Sequence, residues 1–86
     1  MARKSDRINE PVVVTAKVNS YFPKTFVWRG QRHVVQAVEH CWTVSRRHWL
    51  GRVEQHCFRV RTREATYVLA QDLVRDSWRM ARIVKN

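Results

Sequence analysis

The sequence predicts a mostly β fold, with five or six antiparallel strands in a twisted sheet or a small open barrel of SH3-like scale. Two β-branched runs, at 12–18 and 33–44, favour strands because Val and Thr lose rotamer freedom in a helix. A regular alternation of apolar and charged residues at 57–63 has the period of a half-buried strand. An α+β fold with a C-terminal helix on the sheet is the alternative.

The chain divides into a flexible basic lead-in, residues 1–10, and a single small β-rich domain, residues 11–86. The lead-in is polar and charged without a hydrophobic period, which is typical of a mobile terminus. At 86 residues and 44% hydrophobic content, the chain suits one globular domain whose small core depends on its large aromatic side chains.

The first predicted strand covers 12–18. Pro11 precedes it, and Asn19-Ser20 is a turn signal that ends it. Pro23 marks a second break and favours an extended conformation for the residue before it.

A central hairpin is predicted around Gly30. Phe26 and Trp28 have the alternation of a half-buried strand, and Gly30 stands where a tight turn needs positive φ. The run from His33 to Val44 then provides the second strand. Its apolar residues also fit one face of a helix, but the β-branched content favours the strand; they are Val34, Val35, Val38 and Trp42.

A basic segment at 45–55 has weak periodicity and contains Gly51, so we expect a loop. In the following strand, 57–63, the apolar residues and Thr62 face one way and three arginines face the other. A turn at 64–65 leads into a further strand at 66–70.

The C-terminal segment fits two structures. Its apolar residues fall on one helical stripe, which predicts an amphipathic helix from Asp72 to Val84. They fit equally well a turn at 72–77 followed by a last strand at 78–84, and periodicity alone does not decide between the two.

The charge of the chain predicts a polyanionic partner. Seventeen Lys and Arg against seven Asp and Glu give a formal charge of +10, and thirteen of the seventeen are Arg. The planar guanidinium binds phosphate bidentately and stacks on bases, so this composition suits DNA or RNA. An anionic membrane surface or an acidic protein patch would satisfy the charge alone.

Six arginines and one tryptophan form the predicted nucleic-acid contact. Same-face residues of the 57–63 strand lie about 6.5–7 Å apart, a spacing suited to following a phosphate backbone. An exposed aromatic side chain on the preceding loop would add a stacking surface. The alternative is a solvated outer sheet face whose charge prevents aggregation. The predicted residues are Arg46, Arg47, Arg52, Arg59, Arg61, Arg63 and Trp49.

Neither a metal site nor a catalytic site is predicted. The two His-Cys pairs, 40–41 and 56–57, lack the spacing of a structural zinc site, so we expect Cys41 and Cys57 to be small buried side chains. No carboxylate or glycine-rich nest accompanies them as a nucleophilic site would require. We therefore expect a non-enzymatic protein without a cofactor.

The cell compartment and the core are further expectations. The N-terminal residues lead into no apolar signal segment, and the apolar runs are too short to cross a bilayer, so we expect a cytoplasmic protein with no membrane contact. Trp28, Trp42 and Trp78 are expected in the core, because a domain this small needs the area they bury.

From Glu10-Pro11 to Val84 the chain resembles a small bacterial domain family without established function. This family occurs alone and at the C-terminus of inactive Y-family polymerase relatives of the mutasome. The Trp-Arg-Gly hairpin and the spaced Trp residues are the more specific carriers of the resemblance. All of its carriers are Glu10-Pro11-Val12, Phe26-Val27-Trp28-Arg29-Gly30, Arg32-His33-Val34-Val35, Val38, Trp42, Trp49, Phe58-Arg59-Val60, Tyr67-Val68-Leu69, Asp72, Trp78-Arg79-Met80 and Arg82-Ile83-Val84.

The resemblance implies a compact antiparallel β domain in which 78–84 is a strand. His33 stands where the family usually has Tyr, and Ser77 replaces the Gly that normally precedes the last Trp. No active site is implied. A link to DNA repair by translesion synthesis is implied by association alone.

Two functions from different classes follow. The first is a non-enzymatic nucleic acid-binding accessory domain that grips phosphate through the arginines. The second is a protein–protein adaptor that docks on an acidic partner, such as a DNA-repair protein, through an exposed strand edge or the Trp49 loop.

Overall fold

The computed structural model describes residues 5–48 and 51–84, and these residues form seven β-strands. No helix occurs within the described ranges, so the alternative of a C-terminal helix is wrong, and no described helix could cross a bilayer. The strands are β1 (Ser5–Val18), β2 (Phe22–Trp28), β3 (Gln31–Val34), β4 (Ala37–His48), β5 (Gly51–Arg61), β6 (Thr66–Asp72) and β7 (Ser77–Val84).

The antiparallel β fold is confirmed, but the expected five or six strands are corrected to seven in the described residues. The difference arises because the predicted strand from His33 to Val44 is interrupted at Val35 and Gln36. The Val35 amide donates to the Lys24 carbonyl at 2.8 Å, and the Gln36 amide donates to the Arg61 carbonyl at 2.8 Å. Val35 therefore bonds to β2, and Gln36 bonds to β5 at the other edge region of the sheet.

The link between β3 and β4 makes the sheet curl. The strand order is β3-β2-β1-β7-β6-β5-β4, so β3 and β4 are the two edges. In a flat sheet these edges would lie six strand spacings, about 29 Å, apart. The chain connects Val34 to Ala37 in three Cα steps, which span at most about 11 Å. The sheet is therefore curled into a half-barrel with an inner and an outer face.

Three segments differ from their predicted boundaries. β1 begins at Ser5, which pairs with Val84, so the predicted boundary at Pro11 lies inside a strand. The predicted loop at 45–55 is wrong for most of its length, because β4 and β5 pair from Ala37↔Arg61 to His48↔Gly51. The C-terminal strand that the resemblance implied is confirmed as β7.

Two turns show how the chain reverses direction. Trp28 pairs with Gln31, and the two intervening residues have positive φ, 52° at Arg29 and 75° at Gly30. This is the predicted tight hairpin, and it has the type I′ geometry that suits strand twist. In the turn before β7, Asp76 has a positive φ of 54°, directly before Ser77, which replaces the glycine of the family.

The core fills the inside of the half-barrel. Aromatic side chains of β2 reach across the interior to β6, with Phe26 and Trp28 at 5.9 and 5.8 Å from Tyr67 between ring centroids. His33 is buried and stacks on Phe26 at 5.0 Å. In the core cluster the side chains without exposed surface are Phe26, Phe58, Val60, Leu69 and Met80. Trp28 and Trp78 are buried in the same cluster, as expected.

Glu10 ties β1 to the β2–β3 turn. Its carboxylate accepts hydrogen bonds from Trp28 Nε1 at 3.0 Å and from Arg29 Nε and Nη2 at 2.8 Å each. The Arg29 guanidinium also covers the Trp28 ring at 4.5 Å. The bonds from Arg29 hold the pKa of Glu10 below its ordinary value. The Glu-Pro and Trp-Arg-Gly segments that carry the resemblance are therefore joined in one structural contact.

We expect Glu10→Gln to lower the unfolding temperature near neutral pH, because the amide keeps an acceptor for Trp28 but loses the charge that binds Arg29. The lowered pKa of Glu10 means that the carboxylate stabilises the fold above its unfolded-state pKa. That stabilisation is lost as the pH falls through the folded-state pKa. Thermal unfolding followed by circular dichroism should therefore show a gap in unfolding temperature between wild type and variant that narrows as the solution is made acidic enough to protonate Glu10 in the folded protein.

Asp76→Asn is the control, because it removes an exposed carboxylate from the β6–β7 turn and keeps a residue type that tolerates positive φ. A gap for Glu10→Gln that stays constant across the pH range would contradict the role given to the carboxylate.

Candidate nucleic-acid interface

Two of the predicted arginines lie side by side on the outer face of β5. Phe58 and Val60 point into the core, and Arg59 and Arg61 alternate with them, with 44% and 54% of their side-chain surface exposed. β5 ends at Arg61, so Arg63 is exposed in the following turn and not on the strand. Of the three arginines expected on one strand, two therefore lie on β5 and the third follows its end.

Thr62 explains why the strand stops before the alternation does. Its buried hydroxyl accepts hydrogen bonds from the amides of Glu64 at 3.2 Å and Ala65 at 3.3 Å. A threonine side chain that bonds the backbone two and three residues on favours a turn over a continued ladder. The apolar–basic alternation at 57–63 continues through Thr62 and Arg63, so it does not predict that the strand ends at Arg61.

A single carboxylate contacts both strand arginines. Glu39 lies 3.2 Å from Arg59 Nε through Oε1 and 3.5 Å from Arg61 Nη1 through Oε2. It stands at a β-bulge in β4, where the register moves from Val38↔Val60 to His40↔Arg59. The arginine pair is therefore partly neutralised within the protein, and its remaining guanidinium N–H groups face solvent.

The other predicted contacts belong to the β4–β5 hairpin. Arg46 and Arg47 are in β4 and Arg52 is in β5, and Arg47 pairs with Arg52 in the backbone register. They therefore continue the two strands, where a loop had been expected. Trp49 lies outside the described residues.

The bulge at Glu39 also moves Trp42 out of the core, which corrects the expectation for this residue. Val38 packs against the core, and an unbroken strand would place Trp42 on the same face. The extra residue reverses the alternation, so Trp42 pairs with Cys57 and is half-buried on the outer face. It stacks on exposed His40, with 5.3 Å between ring centroids and 28° between planes.

The two cysteines have different environments, and both are free thiols. Cys57 is buried as expected, and burial raises the pKa of its thiol. Cys41 is exposed, so the expectation that it is buried is wrong. Cys41 stands opposite Phe58, on the side of the sheet that faces the core, but it is exposed because β4 is an edge strand.

A groove of about 580 Å³ runs across the outer face from β4 to β1. We call it the outer groove. Its floor includes the buried residues Cys57, Val68 and Ala70, none of which belongs to the core cluster. One wall carries Trp42 and Val44, and the opposite wall carries Arg7, Asn9, Arg79 and Arg82.

The three groove arginines were not among the predicted contacts. Arg7 and Arg82 are exposed register partners on β1 and β7. Arg79 donates from Nε to Asn9 Oδ1 and from Nη2 to the Asn9 carbonyl, both at 2.6 Å. The alternation of Arg79 with Trp78 and Met80 in the sequence indicates that Arg79 faces away from the core. The sequence does not indicate that the three arginines come together, because this depends on bulges in β1 and β7.

The outer groove is cationic and contains no acid in the described part of the chain. Its described lining has three arginines and neither Asp nor Glu. Asn9, the partner of Arg79, is neutral, so Arg79 keeps its net charge. Low-dielectric walls around charges of one sign concentrate the electrostatic field, so the groove favours an anionic ligand.

Metal ligation has no corresponding arrangement. Among residues 5–48 and 51–84, no three side chains of His, Cys, Asp or Glu come together in a way that would hold a metal ion.

The chain belongs to the family described as "Domain of unknown function (DUF6504)", whose model matches residues 1–85. Comparison with curated proteins and with solved structures gave no match. The family membership agrees with the resemblance to a small domain without established function.

Proposed function

We propose that this DUF6504 domain is a non-enzymatic nucleic acid-binding accessory domain that uses the outer face of β4–β7 and the first part of β1. One observation carries the proposal. Exposed Arg59 and Arg61 lie on the same sheet face as the acid-free outer groove, which adds Arg7, Arg79 and Arg82. Five arginines on one face suit a phosphate backbone better than any small ligand.

Phosphate contacts supply the affinity in this proposal, and sequence selectivity is low. Each guanidinium donates several N–H groups in a planar fork that matches two phosphate oxygens. Such contacts position a polynucleotide but carry no base information. Arg46, Arg47, Arg52 and Arg63 stay predicted contributors, with Trp49 as a predicted stacking residue.

Glu39 holds Arg59 and Arg61 until a ligand arrives. Its carboxylate accepts a hydrogen bond from Arg59 and forms an ion pair with Arg61, so binding of a phosphate exchanges one oxyanion for another at the same guanidinium groups. The exchange lowers affinity but keeps the two arginines ordered in the free protein.

Changing Arg59, Arg61 and Arg63 together to Gln tests the proposal. We expect at least about a tenfold loss of affinity and a log–log salt slope smaller by about two, because each lost phosphate contact removes about 0.7–0.9. Fluorescence anisotropy of a labelled oligonucleotide at several salt concentrations measures both.

The matched control is Lys24→Gln, Arg32→Gln and Arg75→Gln, which removes the same charge from exposed positions on β2, β3 and the β6–β7 turn. Equal losses in the two triple variants would show that only total charge matters. Unaltered binding in the Arg59, Arg61 and Arg63 variant would remove these arginines from the interface.

We expect Glu39→Gln to bind nucleic acid about two- to fivefold more tightly, because it frees both arginines from an exposed ion pair of modest strength. Asp76→Asn is the control, since it makes the same change in net charge in the β6–β7 turn. The same anisotropy titration serves for both. A gain of equal size in the two variants would mean that Glu39 has no specific competing role.

A second candidate function is an adaptor that docks on an acidic protein partner. The observation that favours it is an apolar groove of about 590 Å³ beside the free edge of β4, which among the described strands pairs with β5 alone. An extended peptide could add to this edge and fill the groove with alternate side chains. The lining includes Val18, Phe22, Pro23, Val35, Val38 and Cys41.

Stoichiometry separates the two functions. An adaptor forms a defined complex with its protein partner that oligonucleotide does not displace, and its nucleic acid binding is weak and non-specific. The link to translesion synthesis rests on the resemblance alone and belongs to this proposal. The absence of catalysis and of a cofactor, and the cytoplasmic location, stay predictions.

A further inference from the structure

We infer that the outer groove binds a single-stranded polynucleotide, with phosphate between Arg7 and Arg82 and a base against Trp42. The inference rests on the proposed function and specifies the form of nucleic acid that it takes.

Arg7 and Arg82 define the phosphate position. They are register partners on β1 and β7, and both are exposed in the groove wall. Like charges directly opposite each other on neighbouring strands are destabilising. No described carboxylate forms an ion pair with either of them, so an anion bound between the two would relieve their repulsion.

Arg79 adds a fixed guanidinium beside this pair. The two bonds to Asn9 orient it through Nε and Nη2, and Asn9 presents its carbonyl from a positive φ of 57° at the β1 bulge. Of the five guanidinium N–H groups, three are left without a partner among the described residues. A side chain already held in place loses little conformational entropy when a ligand binds.

Trp42 supplies an apolar surface on the opposite wall. It is half-buried, it stands opposite Cys57 in the register, and exposed His40 stacks against it. Between this wall and the arginines lie the buried side chains of Val68 and Ala70. A floor that is apolar and flanked by cations fits a ligand with alternating flat bases and charged phosphates.

The groove geometry favours a single strand over a duplex. From β1 to β4 the groove crosses four strand spacings, or about 19 Å, which suits the short end of the range of about 4–16 nucleotides that small β domains hold. In a duplex the base faces are already stacked and paired, so they could not contact Trp42 or the floor. Only an unpaired strand uses both walls.

The test is a titration of four labelled probes by fluorescence anisotropy near physiological salt. They are an oligothymidylate and an oligouridylate of about 12 nucleotides, the duplex of the first with its complement, and inorganic polyphosphate of matched charge. We expect both single strands to bind at least about tenfold more tightly than the duplex and the polyphosphate. The ratio between the first two probes shows whether DNA or RNA is preferred.

Two variants locate the site. Trp42→Leu keeps an apolar cover over Cys57 and should weaken single-strand binding by about tenfold while leaving polyphosphate binding unchanged. The pair Arg7→Gln and Arg82→Gln should reduce the salt slope for single strands by about 1.4. The control pair, Arg32→Gln and Arg75→Gln, removes equal charge outside the groove and should leave that slope unchanged. Circular dichroism melts verify that each variant is folded.

The outcomes separate this inference from the proposed function. Equal binding of single strand and duplex, or no effect of the Trp42 and Arg7/Arg82 variants, would overturn the single-strand groove. The proposed phosphate-binding face would still stand if the Arg59, Arg61 and Arg63 variant binds nucleic acid more weakly than wild type. No binding of any nucleic acid near physiological salt would overturn both.

Discussion

The two-residue link between β3 and β4 determines the shape of the sheet. It brings together edge strands that stand at opposite ends of the sheet order, and two hydrogen bonds, from Val35 to Lys24 and from Gln36 to Arg61, fix it at 2.8 Å each. The sheet must curl to allow this contact, and the curl encloses the aromatic core on one face. The opposite face of β4–β7 and β1 is left for arginines that could not be buried without partners.

Local patterns predicted most strands because β-branched content and the alternation of apolar and polar residues are properties of residues adjacent in the sequence. The β-branched run at 12–18, the Gly30 hairpin and the alternation at Phe58–Arg61 all correspond to observed elements. The interruption at Val35–Gln36 was not predictable in this way, since it depends on bonds to residues far along the chain. Trp42 was misplaced for a related reason, because one bulge residue, Glu39, reverses the side-chain alternation that follows it. Cys41 is exposed because β4 is an edge strand.

The candidate site was predictable only in part. Arg59 and Arg61 follow from the period of a single strand, whereas Arg7, Arg79 and Arg82 converge through β1–β7 pairing and through bulges that shift their register. The Trp-Arg-Gly segment, one of the more specific carriers of the resemblance, has a structural role in the turn that Glu10 holds. The most recognisable segment therefore supports the fold, and the arginine face lies elsewhere.

A nucleic-acid interface on the outer face can be tested by mapping amide chemical-shift changes when a short single-stranded oligonucleotide is added to ¹⁵N-labelled protein. We expect the largest changes at residues 38–44, 57–61 and 79–82 and around Arg7, with β2 and β3 nearly unaffected. Changes concentrated on β2 and β3, or spread evenly over all exposed cations, would contradict an interface on the outer face.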